Sequence, residues 1–435
     1  MAENETRVER DALGEVEVPK EALWGVHTAR ARQNFAVSGV MLGSQPALIG
    51  ALGHVKVAAA RANAELGELD EELATPIIDA GREVAAGQHD AEFPLEIVQG
   101  GGGTSTNMNA NEVIANRANQ LLGGDPGEYT PVHPNDHVNR SQSTNDVYPT
   151  AMLLSVIGVA GPALEGLRHL ERTLDQKAAE LGDLERLGRT CLQDALPLPA
   201  AAAHRAQASG LRRVRADLER SLDAFRFVPI GATVIGTGFG APAGYIKRVV
   251  SALAEESGLS LEPAPDLFDA LAHLDGYVAV ISDLARASGL MAKIAADLRF
   301  LSSGPVGEVR LPALQAGSST MPGKVNPVLP ELVLQVSYEI RGAVATIEAA
   351  VAGGELELNV MEPVIARHVL ESFQSVDAVA RLFADRCISG LQYDERRTRR
   401  HLEGSYAELV EFAATEGYSA AAEAARSRPD PTSGS

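Results

Sequence analysis

The chain has 435 residues, 45% hydrophobic and 22% charged, which is ordinary for a soluble globular protein and enough for two or three domains. A formal charge of -20 argues against nucleic acid or acidic lipid as partner, since both recruit basic surfaces, so an anionic substrate must be drawn in by local charge. Two cysteines, Cys191 and Cys387, exclude a disulfide framework and an iron–sulfur cluster held by cysteine alone.

Alanine is abundant and aromatics make up only 4%, which favours helices over sheets. The charged start MAENETRVERD has no apolar core of the kind a secretory leader needs, and no long uncharged apolar run suggests a membrane span. The expectation is a cytoplasmic protein.

Residues 1–146 read as an N-terminal domain broken by Gly, Pro and Asn, with one clear amphipathic helix near Gln45–Leu66. Residues 147–391 read as a central domain of long helices: Val147–Gly182, Ala206–Ala224, Asp266–Leu301, Pro327–Val351 and Pro363–Ile388. A helix of ~35 residues is about 50 Å long, so five such elements suggest an elongated bundle. Residues 392–435 read as a short C-terminal domain whose end, RSRPDPTSGS, suggests a disordered tail.

Three polar motifs stand at helix starts. Gly100–Asn116 (GGGGTSTNMNANEVIAN) opens a short helix, His133–Asp146 (HPNDHVNRSQSTND) leads into the first long one, and Gly317–Pro327 (GSSTMPGKVNP) leads into the fourth. Helix starts offer unpaired N–H groups and partial positive charge, which suits carboxylates. Capping alone would use one of Ser143, Thr144, Asn145 and Asp146, not four. The Gly317 loop combines hydroxyls, an ammonium and an amide, and could hold an oxygen base beside a fixed positive charge.

With these motifs the chain resembles, over roughly residues 6–425, the aspartase/fumarase superfamily. Within it, Gly25–Phe35, Gly103–Ala118 and Leu358–Ile365 are aspartase-like wordings, while the C-terminus is shortened after Ala425. The resemblance implies an all-α, three-domain fold with a central bundle of long helices and a tetrameric twenty-helix core. It implies a homotetramer with sites shared between subunits, a small C4 dicarboxylate as substrate, and elimination to fumarate without cofactor or metal.

Residue by residue, the likeness implies that Ser318 is the catalytic base. Thr104, Ser105, Ser143, Thr144 and Ser319 match positions that hold the carboxylate beside the abstracted proton. Asn145 and Thr190 match positions near the other end of the substrate, and Lys324 and Asn326 match binders of its second carboxylate. His133, Asn135 and Asp136 match a secondary anion pocket, and Glu331 matches an acidic residue that supports a catalytic histidine in fumarases.

The residue types suit that chemistry. Removing a proton α to a carboxylate creates a dianionic aci-acid, and each well-aimed donor to it is worth about 3–4 kcal/mol. Lys324 is a compact point charge suited to a carboxylate. Ser318 needs nearby positive charge and N–H groups to act as a base.

One departure bears on the leaving group. Cys191 stands where the family usually carries His or Gln, and Ala201-Ala202-Ala203 then His204-Arg205 replace the usual Gly-Gln-Glu. Expelling hydroxide as water needs an acid, and losing it costs about 10²–10⁴-fold, so fumarase activity is disfavoured. Nitrite leaves without a proton, and the smaller side chains give room for a nitro group with Arg205 as possible contact. The pattern is similar to nitrosuccinate lyases. An aspartase with Cys191 as a small buried residue is the alternative.

Other classes have thinner support. A metal hydrolase rests on His133 and His137 around Asp136, with no third ligand in view. A nucleotide site rests on Gly236–Gly240, whose spacing is wrong for a dinucleotide fingerprint. A retired structural protein is opposed by retention of Ser318, Lys324 and Asn326.

Overall fold

The computed structural model describes residues 5–427. The chain starts with an antiparallel hairpin, β1 (Thr6–Asp11) and β2 (Gly14–Pro19), and continues through α1 (Val26–Asn34), α2 (Pro46–Glu65), α3 (Glu71–Ala85) and α4 (Thr104–Leu121). The longest helix follows, α5 (Thr144–Leu181), then a second hairpin of β3 (Glu185–Thr190) and β4 (Gln193–Pro199). After α6 (Ala200–Asp223), β5 (Phe227–Val228), α7 (Tyr245–Ser257) and β6 (Glu262–Pro263) come α8 (Leu267–Ala272) and α9 (Asp275–Leu301). The remainder is β7 (Val309–Arg310), α10 (Val328–Ala352), α11 (Glu362–Phe383), β8 (Gln392–Tyr393) and three short helices, α12 (Glu395–Glu403), α13 (Ala407–Glu416) and α14 (Tyr418–Arg426). The fold is all-α, and its strands occur in two-stranded pairs.

Four of the five expected long helices correspond closely to α5, α6, α10 and α11. The fifth, Asp266–Leu301, is two helices. The Asp266 carboxylate accepts from the backbone N–H groups of Phe268 and Asp269 and caps α8, and the chain turns extended at His273 (φ -120°, ψ 118°) before α9 starts. Helix α6 starts earlier than expected because the run Ala200–Ala203 has high helix propensity but no apolar period to mark it. Helix α4 is 18 residues long, not a short element. The expectation of no long apolar run needs correction: α5 is long and apolar enough to cross a membrane by composition alone, but 61% of its apolar window is buried inside the chain, as in a core helix. Of the tail expected to be disordered, residues 428–435 lie outside the described residues.

Backbone contacts group the chain into two compact units, each discontinuous in sequence. Unit 1 holds residues 1–162, 218–282 and 341–374; unit 2 holds 163–217, 283–340 and 375–435. The three consecutive segments expected from the sequence divide the chain at other places.

In unit 1, α2 packs against α3 and α7 and buries an almost unbroken run, Leu48 to Ala60, in which Lys56 is the one ammonium. The α2–α3 crossing is close: a Cβ on Gly53 would stand 2.5 Å from the Ala85 nitrogen. In unit 2 the second hairpin packs against α12 and α13. There the Lys177 ammonium donates to the carbonyls of Ser389 (2.9 Å) and Leu391 (3.2 Å), and Arg189 pairs through two nitrogens with buried Glu308 (2.5 and 3.1 Å).

Candidate active site

Unit 1 carries the first two motifs. Gly101, Gly102 and Gly103 have φ of 88°, 59° and 82°, a left-handed run that only glycine adopts without strain. A Cβ on Gly103 would overlap the ring of Tyr148 on α5, so the glycines also allow α4 to start hard against α5. The turn delivers Thr104 and Ser105 to the first turn of α4, where the Thr104 hydroxyl donates to the Gly101 carbonyl at 2.8 Å.

The second motif starts α5 a short distance away. Asn107 Nδ2, one turn into α4, donates to Thr144 Oγ1 at 3.0 Å and ties the two helix starts together. The Ser143 hydroxyl accepts from the Asn145 N–H at 3.2 Å, and the Asn145 side-chain amide donates to the Val234 carbonyl at 2.7 Å. Asp146 is fully buried and accepts from the backbone N–H groups of Ser143 (2.9 Å), Gly231 (2.9 Å) and Thr233 (2.8 Å). The loop that contains the Gly236–Gly240 run is thereby fastened over the start of α5, a structural use rather than a phosphate cradle.

Behind these residues lies a layer that sequence reading missed. Lys56 Nζ donates to Asn139 Oδ1 (3.0 Å) and Gln142 Oε1 (2.9 Å). Burial pushes its ammonium down from the usual lysine range and the Asp146 carboxyl up from the usual carboxylate range, and each charge opposes the other's shift. A lone lysine inside the apolar run of α2 was the signal that could have found it. Glu362, at the start of α11, is another buried acid; burial raises its carboxyl well above the usual range, and its charge acts on Tyr148 and Tyr277.

At the expected anion pocket, Pro134–Val138 forms a single wide turn. His133 Nδ1 accepts from the N–H groups of Asn135 (3.3 Å) and Asp136 (3.2 Å), and His137 Nδ1 accepts from the His133 N–H (2.9 Å). In both imidazoles Nδ1 is occupied by the backbone. Among the described residues no group of three His, Cys, Asp or Glu side chains could hold a metal ion, so the metal-hydrolase reading has no site.

Unit 2 carries the third motif. The loop closes on itself: the Gly317 N–H donates to the Lys324 carbonyl (2.9 Å) and Asn326 Nδ2 donates to the Gly317 carbonyl (2.7 Å). This brings Ser318, Ser319, Lys324 and Asn326 onto one small platform. Ser318 Oγ accepts from the N–H groups of Met321 (2.8 Å) and Thr320 (3.2 Å), the donors an alkoxide would need. A cavity of about 390 Å³ lies against the far end of the loop, lined by Val325, Asn326, Pro327, Arg310 and Arg397 among others.

Thr190 and Cys191 lie at the tip of the β3–β4 hairpin. Cys191 and Leu192 have φ of 52° and 61°, and both are exposed, so the expectation of a small buried thiol is not met within this chain. A cavity of about 650 Å³ beneath the hairpin is lined by Leu192, Ala203 and His204, whose imidazole burial pushes down to about 4. Arg205 is exposed on α6 and does not line it. Glu331, whose counterpart in fumarases pairs with an imidazole that the sequence reading expects to be lost here, has the Arg299 guanidinium at 3.7 Å. Among the described residues no hydrogen bond joins the hairpin tip to the Ser318 platform.

Unit 1 thus presents hydroxyls at two helix starts, and unit 2 presents a serine held by N–H donors in the same loop as a lysine. Comparison with known proteins gives the family. Residues 14–342 match the family model described as "Lyase". The chain is 41% identical over 425 residues to an aspartate ammonia-lyase of Bacillus sp, covering 97% of this chain and 90% of the relative. It is 43% identical over 429 residues to a class II fumarate hydratase of Thermosynechococcus vestitus, covering 97% and 91%. A fumarate lyase:delta crystallin from Brucella melitensis superposes with a TM-score of 0.93 at 41% identity, over 97% of this chain and 92% of that one. The chain belongs to the aspartase/fumarase superfamily and is a lyase.

Proposed function

We propose that this lyase eliminates, from a 2-substituted succinate, a leaving group that departs without a proton from the enzyme, and releases fumarate. Ser318 removes the proton from the carbon beside the carboxylate that Thr104, Ser105, Ser143, Thr144 and Ser319 hold. Lys324 and Asn326 bind the second carboxylate, and Asn145 and Thr190 face the substituted end. In this reading the enzyme is a homotetramer in the cytoplasm, with active sites shared between subunits.

The observation that carries the choice of leaving group is Cys191. At the hairpin tip beside Thr190, where an acid would have to stand, the chain presents a thiol on a left-handed turn. Glu331 has an arginine beside it, not an imidazole it could polarise. A thiol is a weak donor, so water is a poor product of this site. Nitrite from nitrosuccinate leaves as a stable anion and is the first candidate. Ammonia from L-aspartate is the second, because ammonium also leaves without further protonation and an aspartate ammonia-lyase is 41% identical.

The test offers nitrosuccinate, L-aspartate and L-malate side by side and follows fumarate by its ultraviolet absorbance. Nitrosuccinate is expected fastest and malate slowest. If aspartate turns over fastest, the nitrite reading is wrong and the ammonia reading replaces it.

A further inference from the structure

Thr144 has one hydroxyl proton, and a layer of buried polar side chains packs behind it. Lys56 Nζ donates to Asn139 Oδ1 at 3.0 Å. An ammonium has only donors, so it fixes Asn139 with its carbonyl oxygen turned inward. That same oxygen receives Asn107 Nδ2 and Asn111 Nδ2, each at 3.2 Å. Asn107 must therefore turn its nitrogen, not its oxygen, toward Asn139, and the same nitrogen reaches Thr144 Oγ1 at 3.0 Å. Asn107 Oδ1 is buried without a partner, so the orientation of this amide answers to Asn139 and Thr144 alone.

A hydroxyl whose lone pair accepts an N–H directs its own proton elsewhere. Among the described residues the Thr144 hydroxyl donates no hydrogen bond, and Thr144 is half-buried at the start of α5, so its proton is left for an incoming acceptor. We propose that Asn107, oriented through Asn139 by the buried Lys56, is a positioning residue that presets the Thr144 hydroxyl as a donor to the substrate's carboxylate. The inference rests on the reading that Thr144 binds that carboxylate. Its physical content is preorganisation: a hydroxyl free to rotate must be turned when the anion arrives, whereas this one is already aimed.

The test is a double-mutant cycle on the full-length protein, with fumarate as the probe and its dissociation constant read by calorimetry. The four proteins are wild type, Asn107→Leu, Thr144→Val and the double variant, each checked for an unchanged circular dichroism spectrum. Each single change is expected to weaken fumarate about ten- to a hundredfold, the worth of a hydrogen bond to a charged group. The double variant is expected to bind like Thr144→Val alone, because both act through one hydroxyl. Asn107→Asp, whose carboxylate takes the Thr144 proton for itself, is expected to be weaker still than Asn107→Leu.

Losses that multiply independently in the double variant overturn the proposal, as does an Asn107→Asp variant that binds as well as Asn107→Leu. Lost affinity in Thr144→Val with none in Asn107→Leu overturns the relay and leaves the site assignment standing. Unchanged affinity in Thr144→Val overturns both. If the leucine variant fails to fold, Asn107→Ser enters the cycle with the same expectations.

Discussion

Asp146 and Thr233 lie 87 residues apart in sequence and meet through a hydrogen bond of 2.8 Å, backbone N–H to buried carboxylate. Gly231 donates to the same oxygen at 2.9 Å, so one side chain fixes both the start of α5 and the loop laid over it. The Ser143 and Thr144 hydroxyls, proposed to bind the substrate's carboxylate, are aimed by what holds that turn from behind. A rigid acceptor with three backbone donors is such a hold.

Asp146→Asn tests this. Asparagine offers one acceptor oxygen and an NH₂ that must face at least one of the three N–H donors, leaving a buried donor unpaired. The expected loss is about 1–3 kcal/mol in denaturant unfolding, with weaker fumarate binding. An unchanged unfolding midpoint would show that the three contacts do not hold the loop.

The Ser318 platform makes a different prediction, because it buries little. A Cβ on Gly317 would overlap the Lys324 carbonyl and stand 3.0 Å from the Asn326 nitrogen. Gly317→Ala should open the loop and move Ser318 relative to Lys324. A misplacement of about 1 Å near the reacting centre costs about 10²-fold, so turnover should fall that far with thermal stability unchanged. Ser318→Ala should fall further still, with folding intact. Near-normal turnover in Ser318→Ala would remove it as the base.

The exposed and buried cysteines give a chemical reading of the hairpin. Cys191 is exposed and Cys387 is buried, its thiol pushed up to about 12 by burial. A disulfide reagent should therefore modify about one thiol per chain rapidly in the native protein. Cys191→Ser should abolish the fast phase. If the hairpin tip borders the substrate in the assembled enzyme, fumarate should slow the reaction. Equal rates with and without fumarate would place the tip away from the ligand.

How much of this was legible from sequence follows from the signals each element sends. The long helices announced themselves through apolar periodicity, and the three polar motifs through their composition. Helix α3 went unread because Pro76, which stands inside the helix and has no backbone N–H to donate, interrupts its pattern. The β3–β4 hairpin went unread because Cys191 and Leu192 take left-handed turn positions usually marked by Gly or Asn. The Lys56–Asn139–Asn107 relay was out of reach because it is a matter of side-chain orientation across three elements.

Glu362 yields the clearest dependence on pH. Burial raises its carboxyl well above the usual range, so the native state favours the protonated form. For a group whose folded value is raised, the stabilisation is complete below the unfolded value and is lost as pH rises through the folded one. Wild-type stability should thus carry a penalty that grows from pH 5 to pH 8. Glu362→Gln is neutral at both and close in shape. The stability of the variant relative to wild type should therefore improve from pH 5 to pH 8, with contributions from all other groups cancelling in the difference. Urea unfolding of both proteins at the two pH values measures it. A difference that stays constant would mean that Glu362 keeps an ordinary carboxyl despite its burial beside Tyr148 and Tyr277.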